Sequence, residues 1–247
     1  MRALLTTIAI ASTLAAPAAA QPTVKDHIDA MRHLRLGQEN LRAEKWDLAE
    51  REFRAAVELE PPLEMAHYGL GQVYMATKRY PAAVQAYTGC RAAYLRNMAR
   101  DIHNDLLAQR RLEDQIQALE DERTAITTGR VTPMLSSGLM ELDRRIHDLR
   151  TQRFHDERTA VEVPTWISLA LGSAYFRAGA MADAEREYRA AIGVDPKLGE
   201  AHNNLAVVFM LTGRFADAEQ EIKAAEKSGF RVNPQLKEDL KKAAARR

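Results

Sequence analysis

The sequence predicts an all-α protein: a solenoid of four helix pairs, closed by a C-terminal capping helix and interrupted by a long antiparallel helical hairpin. Three observations predict it. Four segments superimpose without a gap on a 34-residue period. The stretch between the second and third copies abandons that period for apolar residues on a seven-residue one. The segment after the fourth copy, NPQLKEDLKKAAARR, reads as one polar-faced helix.

The chain divides accordingly into residues 1–20, a signal peptide; 21–29, a lead-in; 30–97, repeats 1 and 2; 98–164, the hairpin; 165–232, repeats 3 and 4; and 233–247, the capping helix. Arg2 opens the leader, the apolar run ALLTTIAIASTLAA follows, and Pro17 leads to the small residues Ala18-Ala19-Ala20. The run is shorter than the ~20 residues a membrane-spanning helix needs, which favours a cleaved leader over an uncleaved anchor. The expectation is an exported chain, periplasmic or alternatively secreted, that does not span a membrane once processed.

Places within the repeat are counted from Ala30, Glu64, Thr165 and Gly199. Places seven and eight carry Leu36-Gly37, Leu70-Gly71, Leu171-Gly172 and Leu205-Ala206; place eleven carries Asn40, Tyr74, Tyr175 and Phe209. Place twenty is Ala49, Ala83, Ala184 and Ala218, and place twenty-four is Phe53, Tyr87, Tyr188 and Ile222. Small residues let the two helices of a pair approach, the large apolar ones fill the space between them, and Pro61 and Pro196 end second helices. Gly179 and Gly213 mark the turn inside the pair. This pattern closely resembles the tetratricopeptide repeat family, with Asn40 replacing an aromatic in the first copy and Leu95 and Phe230 replacing proline in the second and fourth.

The resemblance implies a non-catalytic binding module in which first helices line a concave groove. Carried over, the groove places are Met31, Leu34 and Gln38, with Leu41 and Arg42, in the first copy, and Met65, Tyr68, Gln72 and Met75, with Ala76, in the second. The third copy offers Trp166, Leu169, Ser173, Phe176 and Arg177, the fourth Asn203 and Val207 with Glu200, Met210 and Leu211. The cations with which some family members hold a terminal carboxylate are missing. Methionines and aromatics suit instead an apolar peptide or amphipathic helix, although the same side chains could serve only to pack neighbouring repeats.

In the insert, Leu95, Met98, Ile102, Leu112, Ile116, Leu119 and Ile126 form one seam and Leu135, Leu139, Leu142, Ile146, Leu149, Ala160 and Val163 another. Folded antiparallel, they pair in one register, Leu119 with Leu142, Ile116 with Ile146 and Met98 with Val163. With Leu95 where a proline would stop it, the second helix of repeat 2 is expected to run on into an arm of about 30 residues, roughly 45 Å long. Asp105, Gln109, Arg153 and Asp156 interrupt the seam as a polar layer, either a register-setting cluster or a binding notch. At the bend, Gly129 follows one helix, Thr132 caps the next and Pro133 begins it, leaving Val131 and Met134 at the tip as contact candidates for a second partner or a second copy.

Composition excludes several function classes. The 35 Lys and Arg, one of them Arg2 in the leader, balance 34 Asp and Glu, so no cationic surplus points to nucleic acid. The lone Cys90 has no internal disulfide partner, and packing must hold the chain together. No paired-histidine metal motif, phosphate-binding glycine loop or nucleophile elbow is present, so no metal, cofactor or catalytic residue is expected. The expected function is an adaptor with a groove and a projecting hairpin, or alternatively a holdase for unfolded envelope or secreted chains.

Overall fold

The computed structural model describes residues 23–128, 133–151 and 162–245, with the side chains of 133–137, 244 and 245 left aside. Described there are α1 (Val24–Arg42), α2 (Trp46–Leu59), α3 (Glu64–Ala76), α4 (Tyr80–Thr127), α5 (Pro133–Thr151), α6 (Thr165–Arg177), α7 (Met181–Val194), α8 (Gly199–Leu211), α9 (Phe215–Lys227) and α10 (Pro234–Ala245). The chain is thus an all-α solenoid of four helix pairs with a capping helix and an inserted hairpin. The leader, Val131 at the bend, and Arg153 and Asp156 of the polar layer lie outside the described residues. Met134 falls in α5, its side chain outside what is described.

Each helix pair closes by the same turn. The backbone N–H of Lys45, Arg79, Ala180 and Arg214 donates to the carbonyl five residues back, on Asn40, Tyr74, Tyr175 and Phe209, at 2.8–2.9 Å. The residue before each donor is left-handed, and its own N–H reaches back three residues, which is the Schellman arrangement. Gly179 and Gly213 supply that conformation without strain, whereas Glu44 (φ 55°) and Lys78 (φ 60°) adopt it with side chains attached. All four turns have this geometry, of which only the two glycines were visible in the sequence.

The core explains the glycines at place eight. A β-carbon on Gly37 would stand 2.6 Å from the Phe53 ring, on Gly71 2.3 Å from Tyr87, and on Gly172 2.6 Å from Tyr188. Each aromatic ring fills the space that a β-carbon would need on the helix it pairs with. In the fourth repeat the ring is replaced by Ile222, and the glycine by Ala206.

Repeats stack with α2 on α3, α4 on α6 and α7 on α8. The third repeat therefore packs on the second although the hairpin separates them in sequence, and Ile167, Leu171 and Ala174 of α6 share one core with residues of repeats 1 and 2. At the first junction Tyr74 donates to Glu50 (3.1 Å), Arg79 pairs with the same carboxylate, and the Arg79 guanidinium lies over the Tyr74 ring at 4.6 Å. The last junction repeats the device: Arg214 pairs with Glu185 (2.9 Å) and covers Phe209 at 4.1 Å. The middle junction has Val84 and Ala180 at the corresponding places. There Arg91 of α4 donates instead to both oxygens of the buried Glu187 of α7, at 3.0 Å each.

α4 is one helix of 48 residues, so repeat 2 runs without a stop into the ascending arm. Leu119, Leu142 and Ile146 bury together with Ile116, Ile126 and Leu149 beside them, in the expected register. Arg123 pairs with Asp143 (2.6 Å) and Arg150 with Glu120 along the flanks. One expectation is corrected: Val163 is not a hairpin seam residue. It lies in the non-helical stretch 162–164 and packs on the repeat core, because the chain must leave the hairpin there to enter α6 behind Pro164. At the far end Asn233 Oδ1 accepts from Gln235 N–H (2.9 Å), Pro234 opens α10, and Leu240 closes the core of the last repeat.

Candidate partner-binding cleft

A cleft lined by aromatic, aliphatic and polar side chains opens where repeat 2 meets repeat 3. Tyr68 at the middle of α3 and Trp166 at the start of α6 come together because α6 stacks against α4, the partner helix of α3. Their rings meet edge to face, centroids 4.9 Å apart, and Tyr87 of α4 stands behind Tyr68 at 5.4 Å. Gln72 and Met75 extend one wall, Leu169, Ala170 and Ser173 the other, and Glu200 of α8 reaches in from the next repeat. The cleft measures about 430 Å³.

Seven of the carried-over groove residues thus meet in one place: Tyr68, Gln72, Met75, Trp166, Leu169, Ser173 and Glu200. Others are spread along the first helices. Met31 and Met65 are 43% and 40% exposed, Gln38, Phe176, Asn203 and Val207 are half-buried, and Arg177 is exposed. Leu34 is a correction: only 7% exposed, it belongs to the core of the first two repeats and offers nothing to a partner. Its place on α1 puts it in the core shared with Ala49 and Phe53 of α2 and Leu70 of α3. Tyr87 and Ala170 complete the cleft without having been carried over. Glu200 stands at a groove place of the fourth copy and was legible there; Tyr87 was read only as core.

Burial sets the electrostatics. It pushes the Tyr87 phenol well above its usual value, and Tyr68 and Cys90 beside it act in the same direction. Tyr68 is raised by burial first, then by the proximity of Cys90 and Glu200. Cys90, wholly buried behind these rings, is pushed up to about 12 by burial, with Glu64 adding to it, and so is a packing thiol rather than a nucleophile. The two phenols of the cleft therefore remain protonated and neutral at physiological pH.

His33, His67 and His202 do structural work. His202 donates from Nε2 to the Pro196 carbonyl (3.1 Å) and holds Nδ1 2.6 Å from Glu221, tying a repeat to the one before and to its own second helix. His67 reaches Pro61 (3.0 Å) and His33 reaches Glu52 (2.6 Å) from the same place in their repeats. Among the described residues no group of three or more His, Cys, Asp or Glu could hold a metal ion, and no helix is long and apolar enough to cross a membrane.

A family model for the tetratricopeptide repeat matches residues 34–94 and 169–230, on either side of the hairpin. No curated protein matches the chain. Among solved structures the chain is similar to PilW, a widely conserved type IV pilus biogenesis factor, at 15% identity over 87% of this chain and 86% of that one, with a TM-score of 0.41. It is similar also to pilF of Pseudomonas aeruginosa (16%, 90% of each chain, TM-score 0.35). A third is YrrB, a TPR protein with an unusual peptide-binding site (16%, 89% and 94%, TM-score 0.31). With its four pairs, their shared turns and the matched segments, the chain belongs to the tetratricopeptide repeat family.

Proposed function

We propose that this protein is a non-catalytic interaction scaffold of the bacterial cell envelope that binds a protein segment, an apolar peptide or amphipathic helix, along the first helices of its repeats. The observation that carries this reading is the Tyr68–Trp166 cleft. Aromatic anchors in a partly desolvated pocket, flanked by unbranched methionine and a few polar groups, are the composition in which interface energy concentrates. The hairpin, rooted beside the cleft through α4, offers a second contact to another partner or another copy. Export to the periplasm rests on the leader-like residues 1–20, with secretion as the alternative.

A holdase for unfolded envelope or secreted chains is the second reading, favoured by the exposed Met31 and Met65 on the first helices of repeats 1 and 2. The two separate cleanly. Crosslinking in envelope extracts should return one or a few fixed partners for a scaffold, lost together when Tyr68→Ala and Trp166→Ala are combined. A holdase should suppress aggregation of an unrelated denatured client. Unchanged crosslinking by the double variant rules out the cleft, and repeating the capture without residues 98–164 separates the hairpin's partners from the cleft's.

A further inference from the structure

We infer that the cleft between repeats 2 and 3 recognises a cationic side chain, Lys or Arg, on a partner segment, with Tyr68 and Trp166 as its aromatic walls and Glu200 as its counter-charge. This rests on the reading of the cleft as a binding site and names what enters it.

The chain itself shows the chemistry twice. At the first junction Arg79 lies over the Tyr74 ring and pairs with Glu50. At the last junction Arg214 lies over Phe209 and pairs with Glu185. In both, a guanidinium sits on an aromatic face while a carboxylate from a neighbouring helix neutralises it, a combination that strengthens as water is excluded. At the middle junction the cleft assembles two of these three parts. Trp166 and Tyr68 supply aromatic surface, and Trp is the strongest such partner for a cation. Glu200 supplies the carboxylate, close enough to act on the Tyr68 hydroxyl. The cation is missing: among the described residues Glu200 makes no salt bridge. Arg177, whose charge opposes that of Glu200 at the Tyr188 hydroxyl, makes no salt bridge with it.

A carboxylate in the first turn of α8 also suits that helix's dipole. That role would appear in the stability of the free protein, and would not make binding depend on a partner's charge. Met75, Leu169 and Ala170 around the rings accept the aliphatic stem of the same Lys or Arg, or an apolar neighbour, while Gln72 and Ser173 can bond its backbone. An acidic segment is disfavoured, since Glu200 would repel it.

The test uses the full processed chain, immobilised, against a phage library of random dodecapeptides. Peptides enriched on the wild type are resynthesised and measured by fluorescence polarisation on the wild type, Glu200→Gln and Trp166→Ala. The inference expects a recurrent Lys or Arg beside apolar residues. Replacing that residue by neutral citrulline or norleucine should weaken wild-type binding by about tenfold or more, and Glu200→Gln binding by less than about twofold. Peptides that need Trp166 but bind equally without the cation, or with an acid in its place, overturn the cationic specificity and leave the cleft standing. If no enriched peptide needs Trp166, both readings fall. Urea unfolding of each variant shows that any loss belongs to binding and not to folding.

Discussion

Tyr188 and Gly172 share one space: a β-carbon on Gly172 would stand 2.6 Å from the Tyr188 ring. The same two places in the fourth repeat hold Ile222 and Ala206, both buried, so the fold accepts either ring with glycine or branched chain with alanine. Gly172→Ala alone should therefore cost about 1–3 kcal/mol through overpacking. Combined with Tyr188→Ile it should cost at least about 1 kcal/mol less than the two single changes added together. Urea unfolding of the four proteins measures the coupling, and simple additivity would mean that the ring has room to move aside.

Glu44 and Lys78 occupy left-handed backbone where Gly179 and Gly213 stand in the later repeats. A left-handed residue with a β-carbon costs roughly 1–2 kcal/mol, and glycine gives part of that back as unfolded-state entropy. Glu44→Gly and Lys78→Gly should each stabilise the protein by about 0.5–1 kcal/mol, while Gly179→Ala should destabilise it by a similar amount. Thermal melting of the three variants decides the point; a lower melting temperature for Lys78→Gly contradicts it.

Arg91 and Glu187 join α4 to α7 at the junction from which the hairpin leaves. Glu187 is 3% exposed, so Arg91→Ala leaves a buried carboxylate with only Arg186, at 3.9 Å, to compensate it. The expected loss is about 3 kcal/mol, and Arg91→Met with Glu187→Leu should recover most of it. Because the pair fastens repeat 3 to repeat 2, hydrogen exchange in α6 and α7 should rise in Arg91→Ala before that in α1 and α2.

Glu50 predicts an acid limb in the stability profile. Burial pushes its carboxyl up, but hydrogen bonds from Arg79 and Tyr74, with the charges of Arg79 and Arg54, outweigh it and hold the group below its ordinary value. A depressed folded value stabilises the protein above the unfolded one, and that contribution is lost as pH falls through the folded value. Glu50→Gln should thus be less stable at pH 7 and should lose less stability than the wild type on going from pH 5 to pH 3. Parallel curves would remove Glu50 as the cause.

Much of this architecture was legible along the chain because its causes are local and periodic. The glycine and aromatic places gave the helix pairs, Leu95 in place of proline foretold the uninterrupted α4, and Leu119, Leu142 and Ile146 foretold the hairpin register. Val163 and Leu34 were misread for one reason. Periodicity says which residues share a face but not which neighbour covers that face, so an apolar residue at the end of an arm or in a first repeat looks like any other.

By itself, then, the sequence determined the helices, their pairing and the size of the insert, since small and large residues at fixed spacing admit few ways of packing two neighbouring helices. The left-handed turns at Glu44 and Lys78, the pairing of Arg91 with Glu187 across 96 positions and the meeting of Tyr68, Trp166 and Glu200 were decided only by the tertiary structure. The last two depend on where α6 comes to rest after the hairpin. Stacking of that helix on α4 settles the matter, through burial of Ile167, Leu171 and Ala174 in a core begun by residues more than a hairpin away.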